Sequence, residues 1–405
     1  MADDEMRIDI PEPAAAVIGR LKANGFEAYA VGGCVRDSLI GLVPNDWDVT
    51  TPAKPETVEK LFNESRAGEA SFRAVRTGIA HGTVTVVYSK GESSVPIEVT
   101  TYRIDGKYSD HRHPGSVSFT SSLEADLARR DFTVNAMAYS PGVGIVDPYG
   151  GQDDLEAGLI RCVGEPEKRF NEDALRILRA LRFSAVLGFD IEEKTAKAAC
   201  SLAGLIDSIS RERVYSELSK LIAGKNAPAV IRNYRSVLSK VLPIYDCSEV
   251  IKKLGEVGQR SDLPLLYAAL LCGADAEEVL HSLRAEKRTI QRVNSILSHM
   301  WAESYIGAKK LCAACGVEIA REIQLLAFAR GEIPEEYVAF IDEIEKRGEC
   351  VSIKQLKIDG RELRAIGIEP AQTGKVLSGL LGEVISGRIP NERSSLAEYA
   401  AKNYL

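Results

Sequence analysis

The stretch "AYAVGGCVRDSLIGLVPNDWDVTT", Ala28 to Thr51, runs a strand-like segment into two glycines, an arginine and two aspartates one residue apart. A strand that ends in Gly-Gly and opens directly into a helix brings backbone N–H groups close to a ligand, which is how phosphates are held. Gly32 and Gly33 occupy that turn, and Arg36, in the first helical turn, adds a planar cation that forks onto phosphate oxygens. Gly-Gly alone reads more readily as a plain tight turn before a helix. The aspartates favour the functional reading. Asp46 and Asp48 lie two apart in a segment with strand character, which puts both side chains on one face. Carboxylates so placed repel each other unless a cation lies between them, and Mg²⁺ takes such oxygens together with substrate phosphates. A phosphate-holding turn upstream of a divalent-metal site is the equipment of phosphoryl transfer. The competing reading is two solvated acids on an exposed strand edge.

Outward from this stretch, Pro13 to Asn24 carries helical apolar periodicity closed by Gly25. "WDVTT", "HGTVTVVYS" and "VPIEVTTYR" are β-branched runs, so the region to about Ser140 reads as a small mixed sheet with helices. In the last run Glu98 points away from its apolar neighbours Ile97 and Val99. It could activate an attacking hydroxyl, complete a metal shell, or simply face solvent. From about Asp154 helical patterns dominate, in "EDALRILRALRFSAVL", "RERVYSELSKLIAG", "LPLLYAALLCG", "AREIQLLAFARG" and "GKVLSGLLGEVISG", and nothing after Tyr139 reads clearly as sheet. The expected fold class is α+β, an α/β head followed by an elongated helical remainder.

An apolar fraction of 45% with 27% charged residues belongs to an ordinary globular protein. The N-terminus, MADDEMRIDI, has acids where a secretory signal needs basic residues, and no apolar run is long enough to span a bilayer, which predicts a cytoplasmic protein with no membrane partner. Eight scattered cysteines read as small buried hydrophobes in a reducing compartment. The one pair at metal-like spacing, Cys312 and Cys315, has no second pair and no histidine cluster, so it reads as two packed helix residues. Fifty-one basic against 58 acidic residues give a net charge of −7, which counts against a nucleic-acid partner unless the basic residues are clustered.

One such cluster lies in "NEDALRILRALRF", Asn171 to Phe183. Asp173, Arg176, Arg179 and Arg182 recur every third residue along one helix face while Leu175, Ile177, Leu178 and Leu181 fill the other. The stripe reads either as a solvated ladder of charge pairs or as a base reader. Cytosine and adenine both offer an amino donor beside a ring-nitrogen acceptor, and uracil and guanine reverse that pattern. A carboxylate that takes the amino group, next to a guanidinium that donates to the ring nitrogen, admits C and A and leaves unpaired groups against U and G. Asp173 with Arg176 has that chemistry.

The motifs "GGCVRDSLIG", "DWDVTT", "EVTTYR", "RRDFTVNAMA" and "EDALRILRALRF", in that order, resemble the bacterial class II tRNA nucleotidyltransferases, the CCA-adding enzymes of the DNA polymerase β-like superfamily. The match covers most of the first 220 residues; beyond about Ile222 it is loose, chiefly in "IDGRELRAIGIEP" and "VISGRIPNER". The resemblance implies a polymerase β-like nucleotidyltransferase head over 1–150, then an all-helical neck (151–222), body (223–318) and tail (319–405). It implies addition of CCA to the 3′ end of tRNA from CTP and ATP with release of pyrophosphate, a Mg²⁺ cofactor, and tRNA, bound at its acceptor end and elbow, as partner. By motif, Gly32, Gly33 and Arg36 would bind the triphosphate, and Asp46 and Asp48 would hold Mg²⁺, with Glu98 beside them as a further catalytic candidate. Arg130 would touch the nucleotide, Asp173 and Arg176 would act as an amino-acid template, and Arg179 and Arg182 match further nucleotide-binding positions.

The segment "IDGKYSDHRHPG", Ile104 to Gly115, looks like the family's loop linking C addition to A addition. Its Asp105, Gly106, Tyr108, Asp110 and Arg112 favour complete CCA synthesis over a CC-adding specialist and leave an A-adding one open, and His111 and His113 read as loop hydrogen-bonders. A poly(A) polymerase would carry an arginine-rich segment where "LFNESRAGEASFRAVRTGIAHGT" has only scattered arginines. A catalytically silent RNA-binding relative would be expected to lack one of the paired aspartates. The basic runs "RAEKRTIQR" (Arg284 to Arg292) and "AKK" (Ala308 to Lys310) are candidate tRNA contacts that would answer the charge objection. The oligomeric state stays open.

Overall fold

The computed structural model describes residues 8–63, 65–67 (backbone only), 70–79, 82–106, 116–243, 247–259 and 262–405. The chain divides into two compact units, Met1–Leu221 with Tyr234–Val241, and Ile222–Asn233 with Leu242–Leu405.

The first unit is built on a sheet whose spatial order is not its chain order. Helix α1 (Glu12–Ala23) leads into β1 (Tyr29–Val31), which runs through Gly32 into the short α2 (Gly33–Leu39) and on to β2 (Asp48–Thr51) and α3 (Pro55–Phe62). A meander follows, β3 (Ser65–Ala67), β4 (Ala70–Gly78), β5 (Thr83–Lys90) and β6 (Ser93–Thr101), and then a separate pair, β7 (Arg103–Asp105) and β8 (Val117–Phe119). After α4 (Leu123–Ala128), β9 (Ala138–Ser140) and β10 (Gly144–Val146) close the far edge. The order across the sheet is β10-β9-β1-β2-β6-β5-β4-β3, with β2 and β6 parallel and the other neighbours antiparallel.

The β-branched runs alternate as a half-buried strand must. In β6, Ile97 and Val99 are buried while Glu98 between them is exposed. Ile97 and Val99 join Val84 and Val86 of β5, Val49 of β2, Phe62 of α3 and Val17, Ile18 and Leu21 of α1 in one core. A smaller core gathers Tyr29, Val31, Tyr102, Leu127, Ala136, Ala138 and Val163.

Beyond the sheet come α5 (Gly151–Glu156), β11 (Leu159–Ile160), α6 (Pro166–Glu172), α7 (Leu175–Leu187), β12 (Asp190–Ile191), α8 (Glu193–Ser201) and α9 (Arg211–Ile222). Three expectations are corrected here. Sheet continues past Tyr139 into β10, and β11 pairs in parallel with β12, so 151–222 is not all helix. These strands are two or three residues long, too short to leave an alternating pattern. The segment from Asn171 to Phe183 is not one helix: α6 ends at Glu172, Asp173 is extended at φ −134°, ψ 106°, and α7 begins at Leu175.

In the second unit the described elements are helical apart from turns and loops, from Ala227–Asn233 to Arg393–Tyr404. A separate core there runs from Cys350 through Leu363, Val376 and Leu380 to Leu396 and Ala400. Among the described residues no helix is long and apolar enough to cross a membrane. Cys312 is buried and Cys315 half-buried on Tyr305–Cys315, and burial pushes each thiol up to about 11, as packed helix residues should be.

Candidate active site

The site begins at the glycines. Gly32 takes φ 81° and ψ −128°, a conformation that side chains rarely adopt, and its N–H donates to the Met137 carbonyl at 3.2 Å. A Cβ built there would stand 3.0 Å from Nη1 of Arg130. The missing side chain is what lets that guanidinium lie against the backbone. Gly33 opens α2, and Arg36, only 8% exposed, reaches back toward it.

Asp48 is the first residue of β2 and lies beside Glu98 of β6 in register, with Thr85 of β5 next in the row. Asp46 is exposed and precedes the strand, so the pair straddles the strand's start where continuous strand was expected. Burial pushes the Asp48 carboxyl up to about 6; the charges of Asp46 and Glu98 push the same way and Arg130 opposes them. Asp48 therefore feels both Asp46 and Glu98 as like charges. Among the described residues no three His, Cys, Asp or Glu side chains are gathered closely enough to cage an ion by themselves. Mg²⁺ needs no such cage, since it keeps waters and takes one or two carboxylates plus substrate phosphates. A mutually repelling carboxylate pair open to solvent on one side fits that requirement.

Behind the carboxylates lies a buried polar network. Asp126, fully buried, accepts from Thr50 Oγ1 (3.3 Å), the Arg103 N–H (3.2 Å) and Arg129 Nε (2.9 Å), and pairs with Arg130 Nη2 at 3.7 Å. Asp131, 9% exposed, accepts from Arg179 Nε at 2.7 Å and from Asn135 Nδ2 at 3.2 Å. Burial alone would raise its pKa, but Arg179 and Arg176, with the hydrogen bonds, hold it down to about 2. Arg36 gives Nη1 to Asn135 Oδ1 at 2.5 Å and Nε to Asp37 at 2.8 Å. Arg182 pairs with Glu217 of α9 at 2.7 Å. The guanidinium carbons of Arg36, Arg179 and Arg182 stand 5.0, 5.3 and 4.0 Å from the centre of the Phe183 ring, within cation–π reach.

The stripe on α7 is thus not a solvated ladder. Arg176 is 8% exposed and gives Nη1 to Glu172 (2.8 Å) and Nη2 to the Arg129 carbonyl (2.9 Å). Asp173, at the break between α6 and α7, accepts from the Leu175 N–H at 3.1 Å and from Arg213 Nη2 of α9 at 2.9 Å. The two residues are neighbours in space, held by different partners. Reading the sequence alone passes over Asp126, Asp131, Asn135, Phe183, Arg213 and Glu217. Asp131 and Asn135 sit inside the quoted "RRDFTVNAMA", where a buried acid and amide beside two arginines were a usable signal. Arg213 and Glu217 gave none beyond helical periodicity.

In the second unit two of the candidate basic positions are already engaged in ion pairs within the fold. Arg292 is bound by Glu322 and Glu318, and Lys309, 7% exposed, by Glu349 at 2.8 Å. Lys287, Arg288 and Lys310 remain exposed. Tyr108, Asp110, His111, Arg112 and His113 lie outside the described residues.

The chain matches the models "Poly A polymerase head domain" over residues 28–161, "Probable RNA and SrmB- binding site of polymerase A" over 188–237 and tRNA nucleotidyltransferase domain 2 over 263–400. It is 34% identical to a CCA-adding enzyme of Streptococcus gordonii, with 96% of each chain covered, and 35% identical to one of Leuconostoc mesenteroides, with 97% and 96% covered. Among solved structures, the Bacillus stearothermophilus CCA-adding enzyme in complex with CTP superposes with a TM-score of 0.74 at 28% identity, covering 97% of this chain and 98% of that one.

Proposed function

This chain belongs to the CCA-adding enzyme family, and we propose that it adds C, C and A to the 3′ end of tRNA from CTP and ATP. The observation that carries the reading is the placement of Asp48, raised to about 6 among Asp46 and Glu98, one strand away from the Gly32 turn against which Arg130 lies. The terminal hydroxyl of tRNA attacks the α-phosphorus, a new P–O bond forms, the bond to the β-phosphate bridge breaks, and pyrophosphate leaves. Asp46 and Asp48 are the residues to hold Mg²⁺. The bound ion supplies positive charge to the phosphate oxygens and makes the attacking hydroxyl more acidic.

The chain's own contribution is position and charge. Arg36 and Arg130 face the triphosphate from the glycine turn. Glu98, exposed and in register with Asp48 on the neighbouring strand, is placed to take the hydroxyl proton. Asp173 and Arg176 read the Watson–Crick edge: a carboxylate accepts at about four lone-pair positions, so two existing bonds leave room for the amino group of C or A. Their present partners hold both side chains before the base arrives. Arg179 and Arg182 flank the nucleotide along α7. The division into head (1–150), neck (151–222), body (223–318) and tail (319–405) fits this assignment of roles, with tRNA contacts on Lys287, Arg288 and Lys310. Eight free thiols support work in the cytoplasm.

The test is pyrophosphate release from ATP in the presence of a tRNA transcript ending in CC. The intact chain releases it only with Mg²⁺; Asp46→Ala and Asp48→Ala, both folded, release less than about a thousandth as much. Full activity in either variant contradicts the metal assignment.

A further inference from the structure

Between Arg36, assigned to the triphosphate, and Arg179, which flanks the nucleotide along α7, stands the amide of Asn135. Asn135 closes the 3₁₀ turn Thr133–Asn135 and is 6% exposed. Its Oδ1 accepts from Arg36 of α2, and its Nδ2 donates to Asp131, whose other carboxylate oxygen accepts from Arg179 of α7. The orientation of the amide follows from its neighbours. A guanidinium only donates and a carboxylate only accepts, so the carbonyl must face Arg36 and the NH₂ must face Asp131. Few small side chains carry both groups. Aspartate would set carboxylate against carboxylate, and an apolar residue would leave both charges without this partner.

We propose that Asn135 is a positioning residue that couples the phosphate-side cation Arg36 to the base-side pair Asp131–Arg179, so that triphosphate and base are gripped as one unit. The inference rests on the assignment of Arg36 and Arg179 to the nucleotide. Its physical basis is the chain Arg36–Asn135–Asp131–Arg179, which is hydrogen-bonded at every link, buried from Arg36 through Asp131 and half-buried at Arg179. Phe183 stands beside both ends, 5.0 Å from Arg36 and 5.3 Å from Arg179. A hydrogen-bonded relay in a low-dielectric interior transmits the displacement of one member to the next. Loss of the amide should therefore weaken two grips far apart in sequence, at Arg36 by removing its acceptor and at Arg179 through Asp131. Triphosphate binding should pre-set Arg179, and base binding should pre-set Arg36.

Three variants of the full chain separate this from a role in folding alone. Asn135→Asp keeps shape and loses the donor, Asn135→Ala loses both groups, and Asn135→Ser keeps a donor and an acceptor on a shorter arm. With tRNA transcripts ending at the discriminator base and at CC, the Asp and Ala variants should show KM for CTP and ATP raised about tenfold with kcat changed less than about threefold, and the Ser variant an intermediate KM.

The decisive reading is a double-mutant cycle of Arg36→Lys and Arg179→Lys. With Asn135 present, the product of the two single losses in kcat/KM should differ from the double loss by about tenfold; in the Asn135→Asp and Asn135→Ala backgrounds the difference should shrink to within about twofold. An undiminished difference in a folded variant overturns the proposal, as does an unchanged KM. Should Asn135→Asp not fold, the Ala and Ser pair makes the same comparison. An intact chain that adds no nucleotide would instead refute the activity assignment, whereas an active chain with indifferent Asn135 variants refutes only the relay.

Discussion

Asp48 is where the chemistry of single residues is most exposed. Its folded-state pKa of about 6 lies above the ordinary aspartate value, with burial the main cause and Asp46 and Glu98 adding to it. The sign follows from linkage: the group favours the folded state fully below about pH 4, and that contribution is lost as pH rises through 6. Without divalent cation, Asp48→Asn should therefore raise the unfolding midpoint by a few degrees at pH 8 and leave it unchanged at pH 4, read by thermal melts. An equal shift at both pH values would show that Asp48 carries no charge penalty. Protons and metal compete for the same oxygens, so the Mg²⁺ concentration for half-maximal activity should climb as pH falls below about 6.

Arg213 belongs to the same scale. It is the ion-pair partner of Asp173, so Arg213→Ala should loosen that carboxylate and let UTP or GTP be incorporated about tenfold more often relative to CTP and ATP, measured by competition on one primer. Unchanged discrimination would mean that Leu175 alone orients Asp173.

At the scale of elements, α7 shows what sequence does and does not disclose. Its leucine face was legible because Leu178 and Leu181 are fully buried at helical spacing. The break at Asp173 was not, since the polar and apolar periods run through it unaltered; it is made by an extended backbone at that residue and a side chain that caps Leu175. The Gly-Gly turn and the aspartates were readable because their geometry is local. Glu217 and Arg213 were not, because their meaning lies in Arg182 and Asp173, tens of residues away. Core truncation should expose the helix's share of stability: Leu178→Ala should cost about 2–5 kcal/mol in denaturant unfolding. A loss under about 1 kcal/mol would mean that α7 is not part of the unit's core.

For the whole molecule the net charge of −7 poses the question of how an acidic chain holds RNA. The structure sorts the basic residues by what already binds them. Burial drives Glu322 up to about 7 against the pull of the half-buried Arg292, and that pair is part of the fold. Arg292→Ala should destabilise by about 3–5 kcal/mol by stranding Glu322, with the tRNA KM of the folded fraction unchanged. Lys287→Glu with Arg288→Glu should do the reverse, raising the tRNA KM several-fold at constant stability. The tRNA KM should also rise steeply with salt, because phosphate contacts release counterions irrespective of net charge. A salt-independent KM would place the RNA on uncharged surfaces.

All of this hangs on the reaction assigned to Asp46, Asp48 and the α7 arginines. The direct measurement is to incubate the chain and Mg²⁺ with tRNA transcripts ending at the discriminator base, at C and at CC, supply CTP and ATP separately and together, and sequence the product ends. Every transcript should end in CCA with both nucleotides present and go no further. Products ending only in CC, only in a single A or in a long A tail would contradict that assignment, as would transcripts returned unchanged.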